Sequence, residues 1–193
     1  MAYKVIAING SPRIGASNTR RAMDIVSEQL AAQGIQVEHI QIGNMRLWGC
    51  QACGGCQKRK DGHCAYDDGL NVILDKIWEA DGLLIGSPTY YGGMTAQTKA
   101  FIDRCGYVSG ANGHLLKGKI GAAVAIHRRA GANTTYAGIQ YLFGISEMPI
   151  ATSSYWNMGV ARDLGTMDQD AEGIQIFTTL GQNMAEMIQK LRA

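Results

Sequence analysis

The feature that most constrains the fold is an alternation along the chain between short apolar segments and segments with helical periodicity. The apolar segments, which we expect to be strands, occupy residues 5–8, 35–42, 82–85, 120–126 and 149–151. The helical segments occupy about residues 18–33, 70–78, 95–104, 131–143 and 177–191. Apolar strands that alternate with helices are typical of a parallel sheet covered by helices on both faces. Because crossovers are right-handed, the sequence predicts a doubly wound α/β fold with five parallel strands.

Composition and charge narrow the class of protein. The chain has 193 residues, of which 46% are hydrophobic and 18% are charged, so we expect one globular domain spanning residues 1–193. A net charge of +2 gives no reason to expect nucleic acid or a membrane surface as a partner. No apolar run approaches the roughly 20 residues of a membrane span, and no cleavage site precedes the first strand. We therefore expect a cytoplasmic location.

Three turns follow the first, third and fourth strands, where ligands bind in sheets of this kind. Residues 10–19 are rich in hydroxyl and amide groups that would hold a phosphate at a helix N-terminus, although a capped surface turn has the same composition. The turn at 86–94 has two tyrosines between glycines, which suit either a flat isoalloxazine ring or simple packing. The turn at 127–133 is cationic, so it would either stabilise an anionic reduced flavin, attract an NAD(P)H phosphate, or be a solvated loop. Neither a dinucleotide-binding glycine fingerprint nor a nucleoside triphosphatase motif is present.

The cysteines point to metal or redox chemistry. Four of the five lie close together, at Cys50, Cys53, Cys56 and Cys64. Such crowding in a chain without a secretion signal favours metal ligation or redox chemistry over structural disulfides. Their spacing suits one corner of an iron–sulfur cubane, whereas zinc usually recruits two separated cysteine pairs. Cys105 is expected to be an ordinary buried thiol, and Asp67 and Asp68 are placed to cap the next helix.

Sequence motifs in these turns resemble those of a known family. Glu-Ala-Asp-Gly at 79–82, Gly-Ser-Pro-Thr-Tyr-Tyr-Gly at 86–92 and Lys-Ala-Phe-Ile-Asp-Arg at 99–104 are similar to the pattern of the NAD(P)H-dependent FMN reductases. The resemblance covers nearly the whole chain and implies a flavodoxin-like sheet with strand order 2-1-3-4-5. The cysteine-rich loop insertion at about 48–66 resembles that of iron–sulfur flavoproteins, which carry a 4Fe–4S cluster beside FMN. Ala65 stands where the ferredoxin cysteine run has proline.

The resemblance also implies roles for individual residues. The FMN phosphate would be held by Ser11, Arg13, Ser17, Asn18 and Thr19. The flavin ring would be lined by Pro88, Thr89, Tyr90, Tyr91 and Gly92, with His127 and Gly131 on its far side. The cluster would be bound by Cys50, Cys53, Cys56 and Cys64. The chemistry would be carried by the flavin, so no side chain is assigned as an acid or a base.

The expected function is FMN-dependent electron transfer from NAD(P)H or ferredoxin to a small-molecule or protein acceptor. One alternative is a cluster-free NAD(P)H-dependent reductase of FMN, quinones or other small acceptors. A second is a zinc-stapled binding module without redox turnover. The basic residues at 58–60 would either dock an acidic carrier or lie in a solvated loop. By resemblance we expect a homodimer or homotetramer, because relatives complete their flavin sites across subunit interfaces.

Overall fold

The computed structural model describes residues 3–192, and a five-stranded parallel sheet forms its centre. The strands are β1 Lys4–Asn9, β2 Gln36–Gln41, β3 Gly82–Pro88, β4 Ile120–His127 and β5 Met158–Val160. They lie in the order β2-β1-β3-β4-β5, and every adjacent pair is parallel. The predicted fold class and strand order are therefore confirmed.

Helices cover both faces of this sheet. They are α1 Asn18–Ala32, α2 Gly55–Arg59, α3 Leu70–Trp78, α4 Ala96–Ala111, α5 Ala132–Ile145 and α6 Ala171–Leu191. Side chains alternate along β1, so that Ile6 and Ile8 pack with α3, α4 and α5 while Val5 and Ala7 pack with α1 and α6. Within the described part of the chain, no helix is both long and apolar enough to cross a membrane.

The fifth strand was predicted at the wrong place. Residues 149–151 contribute only an isolated bridge from Ile150 to Gly121, whereas β5 pairs with Ala125, Ile126 and His127 of β4. With three residues, β5 is too short to produce an apolar run of the length that marks a buried strand. The correction matters for function because it moves the carboxyl end of the fifth strand from residue 151 to residue 160.

The segment between β2 and α3 also differs from expectation. It contains the short helix α2. Further along the chain, α4 continues seven residues beyond its expected end at Arg104, to Ala111. The N-cap of α3 is Gly69, which provides no side-chain hydrogen bond. Asp68 accepts a long 3.4 Å hydrogen bond from the Leu70 amide, the first of α3, so it contributes to capping the helix as predicted. Its carboxylate also forms an ion pair with Arg104, which was not predicted.

Candidate functional site

A cavity of about 280 Å3 opens where the carboxyl ends of β1, β3, β4 and β5 meet. Its lining residues are Ser11, Arg13, Ser17, Asn18, Thr19, Pro88, Thr89, Tyr90, Ile126, His127, Arg128, Ala161 and Arg162. The set includes every residue predicted for the phosphate and most of those predicted for the ring. All strands run in the same direction, but strands are added on opposite sides of β1: β2 lies on one side and β3, β4 and β5 lie on the other. The switch point between β1 and β3 is where doubly wound sheets bind their ligands.

The turn after β1 presents hydroxyl groups at the N-terminus of α1. Ser17 is the N-cap of α1, and its hydroxyl accepts a hydrogen bond from the Arg20 amide at 3.3 Å. Ser11 is held by Asn9, whose side-chain oxygen accepts from the Ser11 amide at 3.0 Å. Both serines are buried yet line the cavity, so their hydroxyls remain available to a ligand. A helix N-terminus with such donors favours an anion.

Three arginines give the cavity a positive rim. Arg13, Arg128 and Arg162 line it and are exposed at its mouth. They lie in the turns after β1, β4 and β5, so the carboxyl ends of three strands bring positively charged side chains to the same cavity. Guanidinium groups bind phosphate through charge-assisted hydrogen bonds. The electrostatics of the cavity therefore suit a phosphorylated ligand.

Close backbone packing holds this turn in position. A Cβ atom at Gly43, just beyond β2, would lie 2.1 Å from the carbonyl carbon and oxygen of Ser11. The Gly43 amide donates to the Asn9 carbonyl oxygen at 3.3 Å. Only a glycine allows the chain after β2 to approach the turn after β1 so closely. Gly43 is therefore part of the support for the cavity.

Asn18, which lines the cavity, also bonds within the protein. Its side-chain nitrogen donates to the Asp163 carbonyl oxygen at 2.7 Å, and its side-chain oxygen accepts from the Met167 amide at 3.2 Å. These bonds attach the start of α1 to the chain after β5, which carries Ala161 and Arg162. Asn18 thus shapes the cavity wall, and its predicted role in phosphate binding stays a prediction.

Two residues that line the cavity each contain a buried polar atom without a partner. Within residues 3–192, Thr89 Oγ1 and His127 Nδ1 are buried and form no hydrogen bond. Both residues line the cavity. An unsatisfied buried polar group costs about 1–3 kcal/mol, so such groups are usually paired in the functional state. A ring with hydrogen-bonding edges would satisfy them, and the residues of this cavity therefore fit FMN.

The tyrosine turn forms the outer edge of the cavity. The Tyr90 amide donates to the Gly93 carbonyl oxygen at 2.8 Å, and the Gly93 amide donates to the Tyr90 carbonyl oxygen at 3.0 Å. Tyr91 and Gly92 occupy the tip, with φ angles of 50° and 74°. A Cβ atom at Gly131 would lie 3.3 Å from Gly92 Cα, so the third turn rests on the second. Tyr91, Gly92 and Gly131 lie beside the cavity and do not line it.

The cysteine segment forms a second, narrower cavity. Its volume is about 20 Å3, and its walls include Cys50, Cys53, Cys56 and Cys64. All four are free thiols, and Cys50 and Cys53 are exposed. Among residues 3–192, no three or more His, Cys, Asp or Glu side chains are gathered so as to hold one metal ion. Each thiolate of a 4Fe–4S cluster binds a different iron, so a cluster needs cysteines around a common space instead.

Cys105 stands apart from this group. Burial in the core raises the pKa of its thiol to about 12, so it is protonated at neutral pH. A protonated thiol is a poor nucleophile and a poor metal ligand. The description of Cys105 as an ordinary buried thiol is confirmed.

Comparison with known proteins decides the family. A model of the family described as NADPH-dependent FMN reductase matches residues 3–163. The chain belongs to this family. As a member of the NADPH-dependent FMN reductase family, it is an FMN-dependent oxidoreductase. The matched region includes the first three turns of the cavity and the whole cysteine segment.

Individual relatives agree with this assignment. An iron–sulfur flavoprotein of Methanocaldococcus jannaschii is 34% identical over 199 residues, which cover 98% of this chain and 99% of that protein. An iron–sulfur flavoprotein of Methanosarcina thermophila is 29% identical over 194 residues, with 98% of each chain covered. The crystal structure of RosB with bound 8-demethyl-8-formylriboflavin-5′-phosphate aligns at a TM-score of 0.73 and 17% identity, covering 99% of this chain and 81% of RosB. At 17% identity, this structural similarity supports the assignment of the fold alone.

Sequence reasoning missed two residues of the flavoprotein's cavity that follow β5, Ala161 and Arg162. With the fifth strand placed at 149–151, the turn after residue 160 had no reason to reach the sheet edge. Ile126 was also missed because it lies within the apolar run of β4 and looks like an ordinary core residue. A search for cationic residues after short Gly-containing segments would have drawn attention to Arg162.

A larger groove, of about 680 Å3, lies elsewhere on this family member, between α4 and α5. Its walls are mainly apolar and include the exposed Tyr107, Tyr141 and Ile145. It lacks the cluster of hydroxyls, helix N-terminus and arginines that a phosphate requires. Size alone would favour this groove, but the chemistry of the lining favours the smaller cavity at the strand ends.

Proposed function

We propose that FMN binds in the cavity at the carboxyl ends of β1, β3, β4 and β5. The phosphate would lie at the turn of residues 11–19, and the ring would lie beside Tyr90 and His127. The observation that carries this proposal is the pair of unpartnered buried atoms, Thr89 Oγ1 and His127 Nδ1, in a cavity that also has a helix N-terminus and a cationic rim.

Bound FMN supplies hydride and single-electron chemistry, which no side chain of the protein provides. The residues of the cavity bind and orient it. The Ser17 hydroxyl would donate a hydrogen bond to the phosphate while its oxygen continues to accept the hydrogen bond that caps α1. Thr89 and His127 would hold the ring edge, and the exposed Tyr91, which lies beside the cavity, would be available to cover the outer side of the ring. The arginines at the rim also attract the phosphates of NAD(P)H, the proposed electron donor.

We further propose that the four clustered cysteines bind a 4Fe–4S cluster that exchanges electrons with the flavin. Support comes from the single cavity that all four line and from the names of the iron–sulfur flavoproteins that match nearly the whole chain. The cavity is narrower than a cluster, so the exposed stretch with Cys50 and Cys53 would have to move outward for these four residues to hold one. Ferredoxin is then the alternative electron donor.

A cluster-free reductase of FMN, quinones or other small acceptors is the second candidate. The observation in its favour is the narrowness of the cysteine cavity, about 20 Å3. A zinc-stapled binding module has less support, because the cysteines among residues 3–192 are not gathered around one point. The homodimeric or homotetrameric assembly and the cytoplasmic location stay predictions.

The proposed donor is tested by anaerobic reduction. Mixing NADPH or NADH with the FMN-loaded protein is expected to bleach the oxidised flavin absorbance at a rate typical of enzyme turnover, about 1–1,000 s⁻¹. Stopped-flow absorbance measures the rate. Reduction by ferredoxin with no response to either nucleotide would reject the NAD(P)H-dependent reductase and leave an electron carrier.

The position of the phosphate is tested by replacing Ser17. Ser17→Ala is expected to weaken FMN binding by about 1.5–3 kcal/mol and riboflavin binding much less, since only FMN has the phosphate. Flavin fluorescence titration of the apoprotein measures both affinities. Ser17→Gly is the matched control, because glycine retains most of the N-cap stability but lacks the hydroxyl. If both variants lose FMN and riboflavin affinity equally, the phosphate binds elsewhere.

A further inference from the structure

Arg104 is a buried charge on α4 with no place in the flavin site. Its side chain is 1% exposed, although α4 is an outer helix that covers one face of the sheet. A buried guanidinium is costly unless nearly all of its donors are paired. The hydrogen-bond partners of Arg104 therefore indicate its structural role.

Three of these partners belong to the cysteine segment of about residues 48–66, and the fourth, Asp68, follows it directly. Arg104 Nε donates to Cys64 Sγ at 3.2 Å. Nη1 donates to the Trp48 carbonyl oxygen at 3.2 Å, and Nη2 donates to the Tyr66 carbonyl oxygen at 3.1 Å. Both Nη atoms also bind the Asp68 carboxylate, with Nη2 to Oδ1 at 3.0 Å. One side chain thus joins both ends of the segment to α4 and contacts one of its thiols.

Asp68 completes this arrangement as the counter-ion. Burial by itself raises the pKa of Asp68, but hydrogen bonds from Arg104 and from the Trp48 amide lower it below its ordinary value. The carboxylate also accepts the Trp48 amide at 3.0 Å, so it fixes the same end of the segment as Arg104 does. The pair is therefore charged at neutral pH and buried where the chain enters and leaves the segment.

Cys64 is the most firmly held of the four cysteines. Its amide donates to the Asn71 side-chain oxygen at 2.8 Å, and the Asn71 side-chain nitrogen donates to its carbonyl oxygen at 3.0 Å. Cys50 and Cys53, by contrast, are exposed in a stretch without helix or strand. The segment therefore has one cysteine that is fixed and bound to a buried cation, and two that are exposed to solvent.

We propose that Arg104 is a positioning residue of the cluster site, which fixes Cys64 for metal binding and raises the reduction potential of the bound cluster. This inference rests on the proposed 4Fe–4S cluster. Reduction adds negative charge to the cluster and its thiolates. A guanidinium N–H bonded to a ligand sulfur stabilises that charge, and residues that orient metal ligands also increase metal retention.

The test uses the holoprotein reconstituted anaerobically with iron and sulfide. We expect R104Q to lose iron to a chelator roughly 10-fold or more faster than the unmodified protein, with the same FMN content. We expect the cluster that R104Q retains to have a more negative reduction potential. R104K keeps the charge but has no planar fork, so it should restore much of the potential and little of the iron retention.

Arg59 provides the matched control. Its Nη2 also contacts Cys64, at 2.8 Å, but binds the carbonyl oxygen instead of the sulfur, and its side chain is 42% exposed. R59Q should therefore leave the reduction potential unchanged and change iron retention by less than R104Q does. Equal effects of R59Q and R104Q on the potential would contradict a specific role for the bond to sulfur.

The remaining outcomes separate this inference from the proposed function. Iron retention and potential at the unmodified level in both R104Q and R104K would overturn the role of Arg104 and leave the cluster intact. Unmodified protein that takes up no iron and sulfide would overturn both. If R104Q does not fold, R104K decides, because unchanged iron retention in that variant also overturns the inference.

Discussion

Replacing Gly43 with alanine is expected to lower the free energy of unfolding by about 3 kcal/mol and FMN affinity by roughly 100-fold. The added Cβ atom would lie 2.1 Å from the Ser11 carbonyl carbon and 2.6 Å from the Gly10 carbonyl oxygen. Backbone atoms cannot move away by changing rotamer, so the turn after β1 must shift. That shift displaces the hydroxyls of Ser11 and Ser17. Urea denaturation and flavin fluorescence titration measure the two effects.

Gly144→Ala is the control for this prediction. A Cβ atom at Gly144 has nothing within 4 Å, and the residue lies in α5. Alanine is a better helix former than glycine by up to about 1 kcal/mol, so this variant should be slightly more stable with unchanged FMN affinity. Wild-type FMN affinity in a stable Gly43→Ala variant would mean that the turn after β1 does not hold the phosphate.

Replacing Cys53 with alanine is expected to abolish stoichiometric iron binding and leave FMN bound. A cubane needs four deprotonated ligands, and Cys53 lies in the exposed part of the segment, where its loss removes little packing. The FMN cavity shares no lining residue with the cysteine cavity. Iron, sulfide and flavin analysis of anaerobically reconstituted protein measures the outcome.

Cys105→Ala is the matched cysteine control. Cys105 packs in the core with a protonated thiol, so its loss should leave the iron content unchanged and cost a small amount of stability. The unmodified protein should contain about four irons per chain, as the cluster type requires. Unmodified protein with flavin and no stoichiometric iron would contradict the cluster and favour the cluster-free reductase.

Burial explains which strands the sequence could predict. β3 and β4 are covered on both faces, so Gly82–Pro88 and Ile120–His127 consist mainly of apolar residues and stand out in the sequence. β5 is an edge strand of three residues, and its position depends on pairing with β4. Residues 149–151 have the apolar character of a strand but form a single bridge to Gly121. Pairing of this kind depends on tertiary structure, which local sequence patterns do not encode.

The same reasoning applies to side chains in the candidate sites. The position of the hydroxyl-rich turn of residues 11–19 at the cavity was predictable, because the turn joins an apolar strand directly to a helix and its donors are local in the sequence. The ion pair between Asp68 and Arg104 could not be predicted, because the two residues are 36 apart in the sequence. The bonds from the Asn18 side chain to Asp163 and Met167 could not be predicted either, since these partners lie at the other end of the chain. Long-range partners of this kind leave no local sequence pattern.

A crystal structure of the FMN complex tests the central claim most directly. We predict electron density for the phosphate within hydrogen-bonding distance of Ser17 Oγ. We predict the ring beside Tyr90, with Thr89 Oγ1 and His127 Nδ1 bonded to its edge. The account would be contradicted by FMN in the apolar groove between α4 and α5, beside Tyr107 and Tyr141, with the cavity at the strand ends left empty.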